Sequence, residues 1–139
     1  MTRSQRNKNP GNIDRGHIPW LGEDRSEEAL ASEHRFCVFL APEYGYRALG
    51  KLLLTYQDRY GLHTVRNLIN RWAPPAENDT GAYVNAVAGA IHTDPDAGLD
   101  LTHPGVLAGI VKAIAHHEAG LDPFPDSDLE AGMHLLGVA

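Results

Sequence analysis

The sequence predicts a mainly α-helical domain with a small irregular or β-containing lobe at its N-terminal end. Three observations carry that expectation. Apolar residues recur at helical spacing in several segments between residues 42 and 136. Proline, threonine and glycine punctuate those segments where helix starts and stops require them. Residues 1 to 35, rich in Asn, Gly, Arg and Glu, show little periodicity of either kind. The 139 residues suit one self-supporting domain spanning 1–139, with 1–8 expected to be loose.

Within the N-terminal lobe, Ile18 to Gly22 reads as a short strand, and the charged run Glu23 to Glu28 as a solvated loop. Arg35 to Leu40 reads as a second short strand, stopped by Ala41-Pro42. A helix then opens with Pro42 in its first turn and Glu43 at the positive end of its dipole. Leu49, Leu52, Leu53 and Tyr56 give it an apolar face, and Gly61 ends it. Thr64 caps the next helix, which runs through Ile69 to Trp72 and is stopped by Pro74-Pro75. A third helix carries Tyr83, Val84, Val87 and Ile91. Thr102 or His103 caps the following one, with Pro104 just inside and Gly120 at its C-terminal end. Asp126 or Ser127 opens a last helix to about Leu136.

Composition narrows the function classes. A formal net charge of −6 disfavours nucleic acid as a partner and general adhesion to anionic surfaces. No apolar run suits a signal peptide or a bilayer span, so stable membrane insertion is not expected. The single cysteine, Cys37 in Phe36-Cys-Val-Phe39, reads as a packed thiol made in a reducing cytoplasm. Neither a metal nor another cofactor is expected. His116 and His117 are adjacent and diverge on a helix, no HExxH pattern is present, and there is neither a nucleophile elbow nor a phosphate loop.

The residue that stands out chemically is Glu118. It falls four positions after Ile114 on the stripe formed by Leu107, Ile110, Val111 and Ile114, with no other acid between Asp100 and Asp122. A carboxylate on such a stripe faces the core or a cleft cut into it, where lost solvation favours the protonated form. The negative end of a helix dipole acts in the same direction. That is the setting of a general acid, and equally of a buried structural acid.

Two further segments are candidates for a cleft wall. Asn7, Asn9 and Asn12 lie within six residues, more than a turn needs, and amides suit the hydroxyl and N-acetyl groups of sugars. Glu77-Asn-Asp-Thr80, followed by Tyr83, reads first as a helix cap and second as a loop lining the same cleft.

Asn9-Pro-Gly-Asn-Ile13, Trp20 with Gly22, Phe36 to Phe39, Pro42 to Ala48, Trp72-Ala-Pro-Pro75, Glu77-Asn-Asp-Thr80 and Glu118, taken in that order, resemble a phage family. Its members are labelled virion structural proteins or endolysins, and the likeness covers nearly the whole chain. Lys8 and Ala119 stand where that family has asparagines. A fainter likeness is to glucosaminidase-type autolysins and soluble lytic transglycosylases, in which a catalytic Glu at a helix end is followed shortly by Gly, as in Glu118-Ala-Gly120. In the autolysins, segments similar to Asn9–Ile13, Trp20–Gly22 and Phe36–Phe39 follow the Glu rather than precede it.

The resemblances together imply a circularly permuted lysozyme-like domain whose N-terminal segment folds beside the end of the Glu118 helix. They imply a peptidoglycan hydrolase acting on glycan strands, with Glu118 as the acid, no cofactor, Asn9, Asn12, Asn78 and Tyr83 as sugar contacts and Trp20 as an apolar platform; a two-carboxylate mechanism would take its second acid from Glu43 or Glu77. It would be made in a host cytoplasm and act in the periplasm or cell wall, or ride in a virion with other phage proteins. The alternatives are a virion structural or assembly protein that keeps the fold without catalysis, and an anti-bacterial effector.

Overall fold

The computed structural model describes residues 1–137, whose helices are α1 (Arg3–Arg6), α2 (Glu27–Ser32), α3 (Pro42–Tyr60), α4 (Val65–Trp72), α5 (Thr80–Ala90), α6 (Pro104–Ala119) and α7 (Asp126–Leu136). The mainly α class is therefore realised. The boundaries from α3 onward follow the cap chemistry. The Thr64 hydroxyl accepts from the Asn67 N–H at 3.1 Å, and the Asp79 carboxylate caps α5 through the Ala82 N–H at 3.2 Å. Gly61, Gly120 and Gly137 close α3, α6 and α7 in the left-handed conformation that glycine adopts without strain.

The core lies between α3, α4, α5 and α6, where Leu49, Leu53, Leu68, Ile69, Val84, Val87, Leu107, Ile110 and Ile114 are almost wholly excluded from solvent. Each such side chain contributes roughly 1.5–3 kcal/mol of transfer free energy. The closest helix pair is α3 with α7. Glycine permits it: a β-carbon on Gly132 would lie 2.7 Å from Tyr46 Cβ and 2.8 Å from the Glu43 carbonyl.

The N-terminal lobe departs from expectation in three places, each for a physical reason. Residues 1–8 are tied down rather than loose. Thr2 and Gln5 form a capping box, Ser4 and Asn7 are buried, and the Arg3 guanidinium reaches Glu33 with two bonds of 2.7 and 2.6 Å. Ile18 to Gly22 forms no strand. Gly22 has φ +75°, which breaks an extended path, and the Tyr44 ring occupies the space where its β-carbon would stand. Nor is Glu23 solvated. Its side chain is fully buried and accepts from the Trp20 N–H at 3.1 Å and from Arg25 Nε at 2.8 Å.

Arg35 to Leu40 is extended but joins no ladder; it makes isolated bridges at Phe36 with Asp14 and at Phe39 with Glu23. Main-chain bonds from Cys37 N–H to Ile13, from Phe39 N–H to Asn7 and from Leu40 N–H to Gly22 hold it between the two loops. Cys37 is fully buried, as its sequence context predicts, and burial pushes its thiol up to about 12.

Candidate functional site

Glu118 occupies the last turn of α6, half-buried, on the wall of an open cleft of about 990 Å³. The cleft runs between the N-terminal lobe and the α3–α4 side of the helical body. Asn12, Asp14, His17, Trp20 and Arg35 line it from the lobe. Leu52, Tyr56, Trp72, Glu77 and Asn78 line it from the helices and the loop that follows α4. Its volume and its mix of aromatic walls with polar and charged side chains suit a small-molecule or glycan site.

Both oxygens of Glu118 are held. The Tyr83 hydroxyl donates to Oε2 at 2.7 Å and Asn12 Nδ2 donates to Oε1 at 3.1 Å. Tyr83 itself accepts from the Trp72 indole N–H at 3.1 Å. The His117 ring lies against the Tyr83 ring at 3.8 Å between centroids, which fixes that ring in place. Burial, with the Glu118 carboxylate beside it, raises the Tyr83 hydroxyl far above its ordinary value, so the phenol keeps its proton and stays a donor.

Asn12 carries two costs at once. Its backbone has φ +49°, in the left-handed region, and its Oδ1 is buried without a partner. Such strain and such unmatched acceptors concentrate at functional sites.

The sequence-predicted residues divide into three groups. Glu118, Asn12, Trp20, Asn78 and Glu77 meet at one cleft. Asn9 does not reach it: it is fully buried, its Nδ2 donates to the carbonyls of Ile13 and Cys37, and its Oδ1 accepts from the Ile13 N–H. That asparagine builds the turn that presents Asn12, and is not a sugar contact. Tyr83 is only 3% exposed, so it holds the acid rather than touching a ligand. Glu43 sits in the first turn of α3, outside the cleft lining, where its carbonyl packs on Gly132.

Sequence reasoning missed Tyr56 and Trp72 as cleft walls and the Asp14–Arg35 ion pair of 2.8 Å at the rim. Trp72 was visible as the last residue of a helix just before Pro-Pro, a position that exposes one ring face beside a loop. His116 pairs with Asp122 at 3.0 Å on the outer surface, away from its neighbour His117. Among the described residues, no three His, Cys, Asp or Glu side chains gather as a metal site would require, and no helix is long and apolar enough to cross a membrane.

No family model matches the chain. It is similar to Protein P5 of Pseudoalteromonas phage PM2, with 34% identity over 134 residues that cover 94% of this chain and 79% of the relative.

Proposed function

The chain belongs to the family of Protein P5 of Pseudoalteromonas phage PM2, and from that premise we propose that it is a phage-particle protein whose cleft cleaves the β-1,4 glycan backbone of bacterial peptidoglycan. The observation that carries the catalytic half is Glu118, a carboxylate at a helix end on the wall of an open cleft of about 990 Å³. Glu118 protonates the glycosidic oxygen as the sugar gains oxocarbenium character and the C1–O bond breaks. The muramic C6 hydroxyl then bonds to C1 and gives its proton to the Glu118 carboxylate, or the N-acetyl oxygen bonds to C1 and water, deprotonated by Glu118, opens the ring so formed; either way one enzymic carboxylate suffices. Besides Asp14, which pairs with Arg35, Glu77 is the other carboxylate the cleft lining offers if water attacks instead. The bond from Asn12 to Glu118 supports the permuted lysozyme-like reading, in which the N-terminal segment folds beside the end of the helix that carries the acid.

Kinship with a phage protein supports the particle half of this proposal, and it supports a second reading better than it supports the catalytic half. In that reading the chain is a structural or assembly protein of the virion that retains the cleft without catalysis. One geometric observation favours it: both Glu118 oxygens already accept hydrogen bonds from protein groups.

The deciding experiment is turbidity clearing of purified murein by the wild type and by Glu118→Gln. The catalytic reading expects lysis by the wild type and a loss of at least about a hundredfold in the variant. Absence of lysis by the wild type leaves the virion structural reading, and equal lysis by a folded Glu118→Gln removes Glu118 as the acid. Mass spectrometry of the products separates the chemistries: anhydro ends mark a transglycosylase, reducing muramic ends a muramidase, and reducing glucosamine ends a glucosaminidase.

A further inference from the structure

Trp72 bonds to one of the two groups that hold Glu118 and packs on the residue before the other. An indole N–H can only donate, so the 3.1 Å bond between Trp72 Nε1 and the Tyr83 oxygen has a fixed direction. The Tyr83 hydroxyl has one proton, and Glu118 Oε2 at 2.7 Å is the acceptor it meets. The order Trp72 to Tyr83 to Glu118 is therefore set by chemistry. Next to that N–H, on the same edge, the indole packs on the lobe: a β-carbon on Gly11 would lie 3.2 Å from Trp72 Cζ2. Gly11 precedes Asn12, the donor to Glu118 Oε1. The same half-buried ring also lines the cleft.

We propose that Trp72 is a positioning residue that aims Glu118 through both donors, and that a glycan ring seated on its exposed face bears on the same side chain that aims the acid. This rests on the glycan-cleaving reading of the cleft for its catalytic consequence, but not for its structural one. Without the indole N–H, the Tyr83 hydroxyl loses the partner that fixes its rotation. Without the ring, the Gly11–Asn12 turn loses its backing.

The test uses Trp72→Phe, which keeps an aromatic wall and removes the donor, with Tyr83→Phe and the double variant beside it. On soluble murein fragments, Trp72→Phe is expected to lower kcat about tenfold with KM within about twofold, since the loss belongs to positioning rather than to binding. The double variant should be worse than Tyr83→Phe only by the share carried through the Gly11–Asn12 turn, so its loss should stay below the product of the two single losses. A raised KM with unchanged kcat, or fully additive losses, overturns the proposal in favour of a platform role.

A second readout does not need lysis. In ¹⁵N spectra of folded Trp72→Phe, the side-chain amide signals of Asn12 should move from their wild-type positions, and in Tyr83→Phe the Trp72 indole signal should move. Unmoved signals overturn the positioning role whether or not the wild type is an enzyme. Moved signals in a protein that does not clear murein keep the positioning role and count against the catalytic reading alone.

Discussion

At the scale of single residues, the sequence marks chemistry better than it marks duty. Glu118 is legible because one acid on an apolar stripe is conspicuous, and the fold places it on a cleft. Asn9 and Asn12 look alike in the sequence, yet one is a buried brace and the other a donor in the cleft. Nothing in spacing separates them, because the difference lies in which main-chain groups are left to satisfy. Tyr83 was legible as a buried helix position, but its partners arrive from α4 and α6 and so lie beyond any local pattern. The distinction is measurable. Asn9→Ala strips three bonds from the main-chain groups of Ile13 and Cys37. A loss of about 3 kcal/mol is expected in a urea titration, because buried donors and acceptors go unmatched. If the variant is instead as stable as the wild type and binds glycan less well, Asn9 returns to the list of ligand contacts.

At the scale of elements, the helices α3 to α7 were readable from periodicity and caps, and the N-terminal lobe was not. Helices are specified by repeating patterns that local chemistry terminates. The lobe is held by individual side chains bonding to main chain: Asn9, Glu33, Glu23 and Arg15, each effective only once its partner is in place. Two expected strands therefore dissolved into one turn and one segment with isolated bridges. The α3–α7 contact was also hidden, since small residues leave no apolar signature. Gly132→Ala should lower stability by about 1–3 kcal/mol, because its new methyl meets the backbone of α3, which cannot yield cheaply. Gly50→Ala should cost less, since the atoms it meets are the mobile ends of Leu136 and Met133. Thermal melts of the two variants check the order, and equal melting points would mean that α7 can shift away from α3.

At the scale of the whole molecule, one acid holds the lobe to itself. Glu33, 2% exposed, accepts from Arg3, Asn7 and the N–H groups of Arg35 and Phe36. The Arg3 guanidinium above all, with these other donors, holds its carboxyl well below the usual range despite burial. A carboxylate depressed in the folded state stabilises above its ordinary value of 4.5, and that stabilisation is lost as pH falls below it. Asp96 beside Arg66 is shifted in the same direction, but at an exposed site where solvent screens the effect. The wild type should therefore lose stability steadily from about pH 4.5 downward, whereas Glu33→Gln, weaker at neutral pH, should lose less over that interval. Melting temperatures measured from pH 7 to pH 2 test this, and parallel curves for the two proteins would place the acid sensitivity elsewhere.

The bond from Asn12 to Glu118 joins residues 106 positions apart. Closing so large a loop is entropically late in folding, since the intervening helices must first be in place to bring its ends together. A nascent chain still short of residue 118 has no acid, and a chain whose lobe has come undone has no opposite wall to its cleft. The site is thus a property of the finished molecule alone. Any chemistry this cleft performs therefore stays silent until folding is complete.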